Sequence, residues 1–120
     1  MVQKNIENRP IYPIMIAIAI GHLINDTVQN VIPAMFPLLS RDLGLTFTQL
    51  GFIAFVLNMV SSTLQPVVGY ISDKKPMPYA LPLGMISVFI GLSMVSFTGT
   101  YSIILIAAIF LGFGSAIFHP

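Results

Sequence analysis

The chain has 120 residues, 56% of them hydrophobic and only 8% charged, against roughly 25% charged in ordinary soluble domains. A soluble domain of this size leaves too much of its surface in water to hide so much apolar material, so the composition points to a lipid bilayer as the surrounding medium. A net charge of +1 gives no footprint for nucleic acid, and the absence of cysteine excludes disulfides, thiolate metal sites and cysteine nucleophiles.

Residues 1–10 are polar, with Lys4, Glu7 and Arg9 ahead of Pro10, and are expected to form a short tail at the membrane surface. The first apolar segment runs from about Ile11 to Leu39. As one straight helix it would be roughly 43 Å long against a hydrocarbon core of ~30 Å, so tilt or bending at Pro33 and Pro37 is expected to absorb the excess. It is too long for the apolar part of a cleavable signal peptide, and it carries Asp26. Ser40 to Gly44 reads as a short polar connection.

The second segment spans about Thr46 to Ser72. Thr46 followed three residues later by Gln49 has the form of a capping box. Gly51, Asn58, Ser62, Gln65 and Gly69 mark one face, and small or polar residues on one face suit close helix packing in lipid. Asp73 to Pro78 is the next connection. The third segment covers about Tyr79 to Phe97 with Ala80, Gly84, Ser87 and Gly91 as its small-residue stripe. After a turn at Thr98-Gly99-Thr100, the fourth runs from Tyr101 to Pro120, with Ala108, Gly112, Ser115 and His119 on one face.

The expected fold is therefore an all-α membrane protein with four transmembrane helices, 11–39, 46–72, 79–97 and 101–120, sequential neighbours antiparallel. Lys4, Arg9, Lys74 and Lys75 fall on one side of such an arrangement and Arg41 alone on the other. The excess of basic residues places the N-terminus in the cytoplasm of a multi-pass protein of a bacterial or archaeal plasma membrane. The fourth segment stops within helical periodicity and without a charged tail, so the transmembrane domain over 11–120 is expected to be incomplete.

The first segment carries the chemistry. His22, Asn25, Asp26, Gln29 and Asn30 are spaced so that a helix gathers them on one face, with Ile18, Ala19, Leu23, Thr27, Val28 and Val31 opposite. A carboxylate at the depth of Asp26 costs about 2.5–3.5 kcal/mol on insertion scales and is expected to face a bundle interior or a wet cavity. Low-dielectric surroundings favour the neutral form of a carboxyl group, so Asp26 is a candidate proton carrier, with His22 and Asn30 one turn away to hold or relay the proton. The structural alternative is a hydrogen-bonded cluster that only joins helices. Asn58, Gln65 and Pro66 are candidates for the same cavity or for packing polarity. His119 is a candidate on the fourth segment, although a lone histidine is more often a satisfied hydrogen-bonder. Asp73 opposes the dipole of the helix it ends, and should seek a cation or a neighbouring helix N-terminus. No phosphate loop, metal-ligand cluster or nucleophile–base pair is present, so neither an enzyme nor a cofactor or metal is expected.

Gly69-x-x-x-Asp73-Lys74 resembles the conformational loop motif between the second and third helices of the major facilitator superfamily. Gly21-His22-Leu23-Ile24-Asn25-Asp26-Thr27 and the final Gly112-Phe113-Gly114-Ser115-Ala116-Ile117-Phe118-His119-Pro120 are similar to the fosmidomycin-resistance branch of that superfamily. The resemblance implies helices one to four of a twelve-helix transporter built from two halves, with substrate handled near the midplane between them. It further implies proton-coupled drug efflux by alternating access, the substrate being an anionic phosphonate such as fosmidomycin. Its partners would be the bilayer, protons, a small-molecule substrate, and the missing helices or another copy of the chain. Two positions depart from the family pattern: Pro76-Met77-Pro78 stands where the loop motif continues with glycine and basic residues, and Ala108 stands where proton antiporters often carry arginine. All five Lys and Arg residues lie outside the apolar segments, so Asp26 is suited to the proton rather than to an anionic drug. Two other readings are compatible with the sequence: a four-helix multidrug transporter acting as a dimer, and an inactive fragment that packs beside a partner.

Overall fold

The computed structural model describes residues 12–97 and 99–119, so the expected tail over 1–10 lies outside the described residues. Five helices follow one another: α1 (Tyr12–Ala34), α2 (Phe36–Leu43), α3 (Phe47–Lys74), α4 (Ala80–Phe97) and α5 (Tyr101–Phe118). Of these, α1, α3, α4 and α5 are long and apolar enough to cross a membrane.

The first apolar segment is not one helix. Pro33 and Pro37 each lack the backbone N–H that would continue the i to i−4 ladder. Between them Met35 forms a turn, its N–H shared by the carbonyls of Val31 (2.9 Å) and Ile32 (3.1 Å). Helix α2 then restarts with proline in its first turn, where a missing N–H is harmless. It continues through what the sequence suggested was a polar connection and stops at Gly44, whose φ of 63° is left-handed. Ser40 Oγ donates to the carbonyl of Leu45 (2.9 Å), holding the corner into α3.

The start of α3 is the predicted capping box. Thr46 Oγ1 accepts from the N–H of Gln49 (3.3 Å), and Gln49 Oε1 accepts from the N–H of Thr46 (2.9 Å). Two otherwise orphaned helix-end donors are satisfied by this exchange.

Helix α5 lies between α3 and α4, and most of its apolar span is buried, whereas α1 is largely exposed. Lipid is as apolar as leucine, so helices in it associate through close backbone approach rather than through expulsion of water. The small-residue stripes allow that approach. A Cβ on Gly112 would stand 2.6 Å from the Leu57 carbonyl oxygen of α3. One on Gly114 would stand 2.8 Å from the Gly84 oxygen and 2.5 Å from Val88 Cγ2 of α4. Ser87 Oγ donates to the Phe110 carbonyl across the α4–α5 seam (2.6 Å). Around these contacts Ile53, Leu57, Val88, Val95, Ile104, Ala107, Ala108 and Leu111 form the core.

A Cβ at Gly51, by contrast, would meet nothing. Gly51→Ala is therefore expected to stabilise the chain by about 0.5–1 kcal/mol through helix propensity, and Gly112→Ala to destabilise it by roughly 1–3 kcal/mol through overpacking. Unfolding of the two variants in bicelles checks the opposite signs.

Candidate functional site

Helices α1, α3 and α5, with Phe36 of α2, border an open cavity of about 490 Å³. Its polar wall is Asp26, Gln29 and Asn30 from α1, Asn58, Ser61, Ser62 and Gln65 from α3, and Ser115 and His119 from α5. Of the residues proposed from the sequence, Asp26, Gln29, Asn30, Asn58, Gln65 and His119 thus share one cavity. Pro66 does not line it.

A chain of hydrogen bonds crosses the three helices. Gln29 Nε2 on α1 donates to Ser115 Oγ on α5 (2.7 Å). Ser115 Oγ lies 3.0 Å from Ser61 Oγ on α3, and Gln65 Nε2 donates to Ser61 Oγ (3.3 Å). Ser61 and Ser115 are both buried. Neither was read from the sequence as a site residue, because a serine among small residues looks like packing material. The available signal was Ser61 standing four residues before Gln65, on the same helix face.

Asp26 and His119 meet at the mouth of this chain, with His119 Nε2 3.4 Å from Asp26 Oδ1 and the two side chains 42% and 55% exposed respectively. His119 Nδ1 lies 3.4 Å from the Ser115 carbonyl oxygen. A carbonyl can only accept, so that contact requires the hydrogen to be on Nδ1. Nε2 then faces the carboxyl group, either as an N–H donating to a carboxylate or as a bare nitrogen accepting from a protonated acid. The two groups therefore face each other across 3.4 Å between α1 and the C-terminal end of α5. His22 packs edge-on against His119 (centroids 5.5 Å apart) and against Phe118 (5.6 Å).

Three of the candidate amides are turned away from the Asp26 carboxylate. The side chain of Asn30 donates to the backbone carbonyl of Asp26 (2.7 Å), not to its carboxylate, so it is not placed to relay that proton. Asn58 likewise turns back on the Ala54 carbonyl of its own helix (2.8 Å). Asn25 leaves the group altogether. It is 2% exposed and borders a different cavity on the α4 side of α1. A helix turns about 100° per residue, so consecutive Asn25 and Asp26 are served to different neighbours once α1 has neighbours on two sides.

At the far end of α3, Lys74 Nζ bonds Tyr70 Oη and sits 4.2 Å from that ring's centre. Asp73 is exposed, and among the described residues no cation pairs with it. The expected contact of Asp73 with a neighbouring helix end is therefore not made here, and Gly69 is half-buried.

The sequence profile of the Major Facilitator Superfamily matches residues 18–120. The chain belongs to that superfamily. It is 56% identical over 110 residues to the uncharacterized MFS-type transporter YfnC of Bacillus subtilis, covering 92% of this chain and 27% of that protein. It is 45% identical over 112 residues to the fosmidomycin resistance protein of Escherichia coli, covering 93% of this chain and 28% of that protein. The chain thus spans little more than a quarter of the length of these curated relatives. No solved structure matches it. Membership in the major facilitator superfamily makes the four spans parts of a membrane transporter fold, and replaces the reading as a dimeric four-helix multidrug transporter.

If the Gln29–Ser115 bond joins α1 to α5, a double-mutant cycle of Gln29→Leu and Ser115→Ala should show coupling of roughly 0.6 kcal/mol, and up to ~1.7. Stability measured in bicelles for the four members of the cycle reads that coupling directly.

Proposed function

We propose that the chain forms helices one to four of a proton-coupled drug efflux transporter working by alternating access, with Asp26 as the group that carries the proton and His119 as its partner. The observation that carries this reading is the Asp26–His119 contact across α1 and α5, at the edge of a polar cavity bordered by three spans. On this reading the pair shares one proton while α1 and α5 are together. Separation of α1 from α5 would remove the imidazole from the carboxyl group and expose the acid to the solvent of one membrane face, where the proton is released. Rocking of one helical repeat against another about a midplane site is the motion that would separate them.

The cavity supports a division of labour. Among the described residues, Asp26 is its only acidic lining residue, and no Lys or Arg lines it. Amides and hydroxyls of Gln29, Asn58, Ser61, Ser62, Gln65 and Ser115 offer hydrogen bonds to a polar substrate without paying for a second buried charge. The similarity to the E. coli fosmidomycin resistance protein supports a small anionic drug as cargo. Its charge would have to be met by cations from outside these four helices, because an ionised Asp26 repels it.

The direct test is a chimera in which this chain replaces the matching segment of the E. coli fosmidomycin resistance protein. The chimera should export drug in response to a proton gradient, Asp26→Asn should reduce that export at least tenfold, and His119→Gln should leave a smaller, pH-shifted activity. Gradient-driven export at the parent rate in Asp26→Asn would refute the assignment. The 120-residue chain alone, reconstituted in vesicles, is expected to export nothing, since alternating access needs a second repeat to rock against.

We further infer a cytoplasmic connection between α3 and α4, from Lys74 and Lys75 there against Arg41 on the opposite side. With no native cysteine in the chain, Lys75→Cys should react with a membrane-impermeant maleimide only after cells are lysed, and Arg41→Cys in intact cells.

A further inference from the structure

Four carboxamides line the cavity bordered by α1, α3 and α5, and all four commit their nitrogen to the protein. Asn30 Nδ2 donates to the Asp26 carbonyl (2.7 Å) and Asn58 Nδ2 to the Ala54 carbonyl (2.8 Å), each one turn back on its own helix. A backbone carbonyl only accepts, so chemistry fixes both orientations and leaves the amide oxygens free. Gln29 Nε2 reaches Ser115 Oγ (2.7 Å), Gln65 Nε2 reaches Ser61 Oγ (3.3 Å), and the two hydroxyls touch (3.0 Å). Three such bonds need three hydrogens, and two hydroxyls supply only two. At least one glutamine must therefore donate its N–H, and in the arrangement described both do. Asn30 and Asn58 are exposed and Gln29 and Gln65 half-buried, and no described residue donates to any of the four oxygens. The wall thus shows the cavity amide oxygens together with the Asp26 carboxyl group. The donors it retains are serine hydroxyls, which rotate and also accept.

We propose that this wall selects hydrogen-bond donors: the end of the cargo lying against α1 and α3 carries O–H or N–H groups, and its anionic end points away from them. This orientation rests on the cavity being the cargo site, as proposed above, and adds which way round the cargo sits. Superfamily transporters hold substrate near the bilayer midplane between helical repeats, and Asp26, midway along α1 (Tyr12–Ala34), sets the wall at that depth. Carbonyl and carboxylate oxygens repel a phosphonate and attract a hydroxyl or an ammonium. A cargo with an ether in place of the hydroxyl would set oxygen against oxygen, leaving the amides unanswered, and a site built to bond a substrate hydroxyl rejects such an analogue. Asn30 and Asn58 are the specificity-determining residues of this reading, because their orientation does not depend on how the serine hydrogens are arranged.

The test uses the chimera described above, with its full complement of helices, in nanodiscs and without a proton gradient, so that binding is read separately from proton coupling. Calorimetry compares 3-hydroxypropylphosphonate and 3-aminopropylphosphonate with 3-methoxypropylphosphonate, which keeps the oxygen but has no donor. The first two should bind roughly fivefold more tightly than the ether, the value of one hydrogen bond. Asn30→Leu combined with Asn58→Leu, or Asn58→Leu alone should the pair fail to fold, should remove at least about half of that preference. Ser62→Phe, at an exposed position on the cavity wall, should abolish binding of all three probes. Binding that survives Ser62→Phe would sink the cavity as cargo site. Binding lost in Ser62→Phe, but equal for hydroxyl and ether in the parent chimera, would sink the donor assignment alone; that result is expected where donors of the remaining helices already hold these oxygens. A preference undiminished by the asparagine variants, or no saturable binding of any probe, would also overturn the proposal.

Discussion

Hydrocarbon accepts and donates no hydrogen bonds, and this chain carries a carboxylate, two imidazoles, several amides and a set of hydroxyls into it. Nearly every feature of the bundle is a response to that constraint. The serines at 61 and 115 meet each other and two glutamines across three helices. Ser87 finds the Phe110 carbonyl, and Ser93 turns back on its own helix. Asp26 meets the imidazole of His119. The polar side chains that do not answer the constraint within the protein are the informative ones, and the buried amide of Asn25 is the clearest of them.

Satisfying those groups requires helices to come close enough for short side chains to touch. Two serine hydroxyls reach each other only when their backbones approach nearly to contact, and Gly112, against the Leu57 carbonyl of α3, is what allows it. Close packing and polar satisfaction are therefore one design: α5 is rich in small residues because it is the common partner of α3 and α4, and the same approach brings Ser115 within reach of Ser61. Helix α1 packs more loosely and reaches α5 chiefly through polar contacts, Gln29 to Ser115 and Asp26 to His119.

Much of this is legible in the sequence. Composition alone demanded a membrane, and the four apolar runs, the capping box at Thr46 and Gln49, and the small-residue stripes of α4 and α5 all appear where their local physics put them. The break at Met35 was less legible. Two prolines four residues apart announce a distortion, but whether the chain bends, kinks or restarts as a separate short helix depends on where its second half docks. The site was legible in kind and only partly in membership. Periodicity assigns five polar residues of α1 to one broad arc, yet an arc of that width borders two neighbours, and Asn25 and Asp26 part company across it.

Local sequence by itself determined which segments are helical and apolar, where Thr46 begins a helix, and that an acid lies within the first span, because these follow from propensities, caps and residue polarity along a few turns. Only the tertiary structure decided that Ser61 and Ser115 are the centre of the hydrogen-bonded chain, that Asp26 is answered by His119 from 93 residues further on, and that Asn25 looks the other way. The reason is that a helix face has no meaning until another helix lies against it. Which residues meet is set by the angle and depth at which α5 settles between α3 and α4, a property of all three surfaces together.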